Sequence, residues 1–231
     1  MLVIVAVAGV KTKSKVAEKT AKDLPRVQSQ GQREQMRELL VIRDKKGRRP
    51  AMVSVRADAR PFILNAVTKA LPKSQRHMAY DVSRIIITEA NHHKMDPLFL
   101  LAVIATESGF NPKARGLHGE IGLMQVLPKT AVWIAPKAGI PVDKIDLEDP
   151  VINIRIGATY FARLRKSFDG HGPRYVAAYN MGSANVRKLV RSKVEPKIYS
   201  GRVLENYENF RTAFREKSQK KVATTQIIAT R

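Results

Sequence analysis

The chain has no cysteine among its 231 residues. That excludes a disulfide framework and any thiolate metal site, and it leaves the redox compartment open. Acidic residues are scarce: 20 Asp and Glu face 42 Lys and Arg, a formal charge of +22. Aromatic residues are missing where the charge is densest, because none precedes Phe62, so a base-stacking surface for nucleic acid is not supported. Charge of this sign seeks polyanions, and teichoic acids, lipopolysaccharide and phospholipid headgroups suit it as well as nucleic acid does. The apolar run Met1–Val10 is too short to cross a bilayer as a helix, which takes about 20 residues.

What is present suggests one catalytic-sized domain and a smaller appendage. Residues 1–10 match the apolar region of a secretory signal, with Ala6-Val7-Ala8 as a small-residue cleavage pattern, though no basic stretch precedes them. These residues leave open a clipped or weak export signal and a buried strand. Residues 11–73 form a basic extension whose early part, through Gln32, has few large apolar residues and the composition of a solvated arm. Further on, Leu39–Arg43 and Ala51–Val55 flank Asp44-Lys-Lys-Gly47, the pattern of a small β-hairpin.

After Pro72 the pattern turns helical. Met78, Val82, Ile85, Ile86 and Ala90 recur at helical spacing before the polar Asn91-His92-His93-Lys94. Adjacent histidines diverge on a helix, and with no acidic partner at ligand spacing no metal site is expected. Asp96 and Pro97 then read as the cap and first residue of an unusually apolar helix, Leu98–Ala105. Glu107 sits where that helix runs out. Apolar neighbours and the negative end of the helix both disfavour a carboxylate there, so the group can keep its proton near neutrality. Such a carboxylic acid can protonate the leaving oxygen of a glycoside.

The segment from Asn111 to Val126 is loop-like, with glycines at 116, 119 and 122, and would let backbone approach a sugar ring closely. Gln125 adds an amide that can donate and accept. Asp149 and Pro150 open a helix with Ile154, Ala158, Phe161 and Leu164 on one face. Asn153 and Gly157 on it are read as packing positions. Tyr179 and Asn180 end the next helix, before Gly182, and Tyr199 starts another whose stripe continues through Val203, Tyr207 and Phe210.

In order, Asp96-Pro97, Glu107-Ser-Gly-Phe-Asn-Pro112, Gly122-Leu-Met-Gln125 with Pro128, Asp149-Pro150, Ala178-Tyr-Asn180 with Gly182, and Tyr199 make residues 74–210 resemble the catalytic domain of lytic transglycosylases, the goose-type-lysozyme-like enzymes that cut peptidoglycan glycan. One departure stands out: Pro196-Lys197 occupy the place where Thr-Arg is usual. The resemblance implies a mainly α, lysozyme-like α+β fold, with residues 211–231 left as a basic tail. It implies Glu107 as the single acid and then base, and Ser108, Gly122, Leu123, Met124, Gln125, Tyr179, Asn180 and Tyr199 as substrate-binding residues. It also implies a 1,6-anhydro-muramyl product, no cofactor, and a monomer exported to the periplasm or cell envelope and acting on peptidoglycan strands. The alternatives are a hydrolytic muramidase using Glu120 or Asp146 as base, and a non-catalytic wall-binding or assembly component. The basic extension would hold anionic envelope polymers or headgroups rather than nucleic acid.

Overall fold

The computed structural model describes residues 21–39, 58–196 and 198–229. The apolar start and the expected hairpin of residues 39–55 lie outside the described residues, except Leu39, which is the last residue of a helix. Among those described, nine α-helices carry the fold and no sheet forms. They are α1 (Ser29–Leu39), α2 (Arg60–Ala70), α3 (Ala79–His92), α4 (Pro97–Ser108), α5 (Pro128–Ile134), α6 (Pro150–Ser167), α7 (Gly172–Met181), α8 (Ser183–Arg191) and α9 (Ile198–Ala229). The only strand-like pairing among the described residues is a pair of isolated bridges, Arg115 with Ile121 and Ile121 with Val126.

Helix α4 is the axis. From Leu98 to Ile104 no residue is more than 3% exposed, as a helix apolar on every face requires. Its start is fixed by Asp96, whose Oδ1 accepts from the Leu98 amide at 2.9 Å, with Pro97 in the first turn. Helix α9 lies against it, the Tyr207 hydroxyl donating to Asp96 Oδ2 at 2.6 Å and Asn206 Nδ2 to Thr106 Oγ1 at 2.9 Å. The Phe99 ring meets Phe161 of α6 and Tyr207 of α9 edge to face at 5.4 and 5.8 Å. Asp149 caps α6 by accepting from the amides of Val151 and Ile152 at 2.7 and 3.0 Å.

The solvated-arm reading needs correction over residues 21–32, its described part. Residues 21–39 pack into the same core as α4, with Ala21, Leu24, Met36 and Leu39 buried. Fully buried Gln35 accepts from the Asp96 amide at 2.8 Å. Glu38 takes a forked contact from Arg165 of α6, with Nε to its two oxygens at 2.9 and 2.7 Å and Nη2 at 2.6 Å, while Arg165 Nη1 donates to the Lys94 carbonyl at 2.9 Å. Low hydrophobicity did not prevent packing, because polar side chains found buried partners far along the chain. Helix α9 likewise runs on past residue 210, where Phe214 is buried and its ring lies 5.3 Å from that of Phe62 on α2. His93, moreover, has the acidic neighbour that the sequence reading did not find: Glu89, one helical turn earlier and buried, at 3.5 Å.

Because Glu38 and Arg165 are both largely out of water, Glu38→Ala strands a guanidinium. The variant is expected to lose about 3 kcal/mol of stability in urea unfolding, and activity and fold should fall together at temperatures near the new midpoint.

Candidate active site

Glu107 is the penultimate residue of α4, half-buried where the apolar helix meets the loop of residues 111–126. Burial raises its pKa from the ordinary carboxylate range to about 7. A hydrogen bond from Tyr199 and the charge of Arg202 work against that rise, and the charge of Glu120 adds to it. Tyr199 stands in the first turn of α9, 5% exposed, and its hydroxyl donates to Glu107 Oε1. Burial, then the charge of Glu107, push the Tyr199 phenol well above its usual value, so it stays a donor. Arg202 follows one turn along α9, its guanidinium 5.9 Å from the centre of the Tyr199 ring.

The loop opposite is held from behind by Asn153 of α6, which is fully buried. Asn153 Oδ1 accepts from the Met124 amide at 2.8 Å, and its Nδ2 donates to the carbonyls of Ile121 and Leu147 at 2.8 and 2.9 Å. Gly122 lies at φ 79°, and a Cβ there would come within 2.5 Å of the Leu147 carbonyl. Only glycine suits both the backbone conformation and the space. At Gly157 of α6 a Cβ would stand 2.6 Å from Met124 Sδ, so the missing side chain is the socket for Met124.

The sequence-predicted set therefore divides. Glu107 and Tyr199 are in direct contact. Tyr179, at the last turn of α7, donates to the Met124 carbonyl at 2.8 Å, and its phenol is pushed well up by burial and then by Glu107. Gln125, at φ 47°, donates through Nε2 to the carbonyls of Gly122 and Ala114 at 2.9 and 3.2 Å. The Ser108 hydroxyl donates to the Leu123 carbonyl at 2.8 Å. Leu123 and Met124 are both 0% exposed, so their side chains form the floor instead of touching a ligand. Asn180 is exposed at the end of α7. Glu120, a candidate second base, has its Oε2 accepting from the His118 amide at 2.9 Å. Burial alone would raise its pKa, but backbone hydrogen bonds and His118 leave it lowered.

Sequence reasoning missed Arg202, although its place three residues after Tyr199 puts both on one helical face. A cavity of about 460 Å³ opens elsewhere, among Arg115, Ile121, Val132 and Ile145; of the candidate catalytic and binding residues it is lined only by Asp146, the alternative base. Removing Arg202 takes away a cation that favours the Glu107 carboxylate, so Arg202→Gln should move the Glu107 titration above about 7. Carbon-13 NMR of the labelled carboxyl would report that rise directly.

Comparison with known proteins bears on this arrangement. A family model described as the transglycosylase SLT domain matches residues 84–200, just over half of the chain. Membrane-bound lytic murein transglycosylase E of Buchnera aphidicola is 35% identical over 100 residues, covering 42% of this chain and 45% of that protein. The soluble lytic murein transglycosylase of Escherichia coli K12 is 35% identical over 91 residues, covering 38% of this chain and 14% of that protein. Among solved structures, an inactive mutant of lytic transglycosylase Slt from Pseudomonas aeruginosa superposes with a TM-score of 0.52 at 28% identity, over 56% of this chain and 24% of that one. The 70-kDa soluble lytic transglycosylase of Escherichia coli, at 24% identity, TM-score 0.52, and 66% and 29% coverage, shares the fold. The match thus spans less than half the length of each of these relatives.

Proposed function

Because the chain belongs to the transglycosylase SLT domain family, we propose that it cleaves peptidoglycan glycan at the β-1,4 bond from N-acetylmuramic acid to N-acetylglucosamine, leaving 1,6-anhydro-muramyl ends. The observation that carries this reading is the carboxyl of Glu107, held protonated up to about pH 7 by burial while a tyrosine hydroxyl donates to it. Glu107 gives its proton to the glycosidic oxygen as the bond to the muramyl anomeric carbon breaks. The muramyl N-acetyl group supports the positive charge that develops there. The ionised Glu107, now stabilised by Tyr199 and Arg202, takes the proton of the muramyl C6 hydroxyl as that oxygen closes on the anomeric carbon. The proton returns to Glu107 and no water is consumed.

Tyr199 is proposed to time this exchange, since its hydrogen bond favours the carboxylate form needed in the second half. Gln125, Asn180 and the backbone at Gly122 are proposed to meet the sugar. Ser108, Leu123, Met124 and Tyr179 contribute by holding the loop that carries those groups. The lytic murein transglycosylase relatives are named as membrane-bound or soluble; for this chain we propose a place in the cell envelope, reached by export, with its basic extension retaining it on anionic polymers.

Two measurements test the reading. Mass spectrometry of muropeptides released from isolated peptidoglycan should find anhydro-muramyl ends with the unaltered protein and none with a folded Glu107→Gln variant. Ends heavier by about 18 Da, the mass of the water added in hydrolysis, would replace the transglycosylase by a muramidase. The acid must be protonated to act, so kcat/KM should fall about tenfold per unit as pH rises above about 7. A flat profile through pH 8 would remove Glu107 from the role.

A further inference from the structure

The chain's one tryptophan, Trp133 on α5, is 49% exposed, beside Val132 at 52%. A single exposed apolar residue is ordinary; what surrounds this one is not. Tyr160 of α6 meets the indole edge to face at 6.1 Å, and Tyr160 in turn lies 5.4 Å from Tyr179, the phenol that feels the charge of Glu107. Ring contacts therefore run from Tyr179, behind the loop beside the acid, out to Trp133. Two cations lie over the indole ring: Lys137 Nζ and the Arg163 guanidinium, each 5.0 Å from its centre. Lys137 is anchored there by donating to the Trp133 carbonyl at 2.6 Å. Among the described residues, no carboxylate forms an ion pair with either cation.

The half of the indole that stays exposed is a weakly hydrated surface for the C–H groups of a pyranose, and cations held over the ring without a carboxylate partner take carboxylates by charge-assisted hydrogen bonds. A neutral polysaccharide uses only the first feature; a sugar bearing a carboxyl substituent uses both. We propose that Trp133, Lys137 and Arg163 form a distal subsite that binds a carboxylate-bearing N-acetyl sugar unit of the same strand that is cut at Glu107. This rests on the glycan-cleaving reading of Glu107 and extends it to a second contact along the strand, one that fixes the register of the strand over the acid by binding energy gained away from the reacting bond.

The single tryptophan makes the test direct, because its emission reports this position alone. Full-length Glu107→Gln protein, which leaves glycan intact, is titrated with a soluble muramyl-containing tetrasaccharide and with neutral chitotetraose, following emission and calorimetry together. The expected result is a saturable emission change with the muramyl glycan, tighter binding of it than of chitotetraose, and a roughly tenfold weaker Kd in Trp133→Ala, equivalent to about 1.4 kcal/mol. Trp133→Tyr should recover much of that affinity. Lys137→Gln with Arg163→Gln should remove the preference for the muramyl over the neutral glycan. Calorimetric binding with unchanged emission and an unchanged Kd in Trp133→Ala overturns the subsite while the Glu107 reading stands. No binding of either glycan overturns both. An emission change produced by anionic phospholipid vesicles and not by glycan reassigns the patch to a lipid surface.

Discussion

The structure depends on enclosing a helix that has no polar face. Helix α4 is buried on every side from Leu98 to Ile104, and helices from both ends of the chain close around it. That same enclosure sets the chemistry. The helix meets solvent only where it ends, and the carboxyl placed there is desolvated by the side chains that stabilise the core, with a pKa of about 7 as the result. Stability and acidity are therefore two readings of one packing arrangement, and loosening α4 would cost both.

Helix α9 converts that packing into geometry. It holds α4 at its start through Tyr207 and Asp96, and near its end through Asn206 and Thr106. With the helix so fixed, Tyr199 on the same α9 reaches Glu107. The N-terminal segment bears on the same point, since the Asp96 amide donates to Gln35. A residue outside the matched family region thus supports the capping end of the helix that carries the acid. On the loop side Asn153 plays the equivalent part, joining Met124, Ile121 and Leu147 through one buried amide.

Local signals were legible in the sequence and long-range pairings were not. Asp96-Pro97 and Asp149-Pro150 announce helix starts because a cap and its amide are two residues apart, and both caps form. Glu107 was legible because desolvation could be read from its own helix. Tyr199 reaches it although Pro196-Lys197 depart from the usual motif. The packing of residues 21–39 was hidden: Glu38 and Arg165 are 127 positions apart, and nothing near Glu38 announces its partner. Leu123 and Met124 read as core from their own chemistry and as ligand contacts only from the motif, because a motif records that residues matter without saying whether they matter from the cleft or from the floor. Gly157, the socket for Met124, carries that information only in three dimensions.

A chain of charge +22 might be expected to ionise every carboxyl it holds, yet Glu107 resists. The reason is range. Charges spread over a wet surface are screened within about 8–10 Å at physiological salt, whereas desolvation acts at contact. Arg202 is the cation with a named pull on Glu107, and burial outweighs it. Cations placed farther out, such as Lys137 and Arg163 at the Trp133 indole, can attract an anionic strand without stripping the proton from the acid. Keeping surface charge apart from a desolvated carboxyl lets a strongly basic protein hold that carboxyl partly protonated near neutral pH.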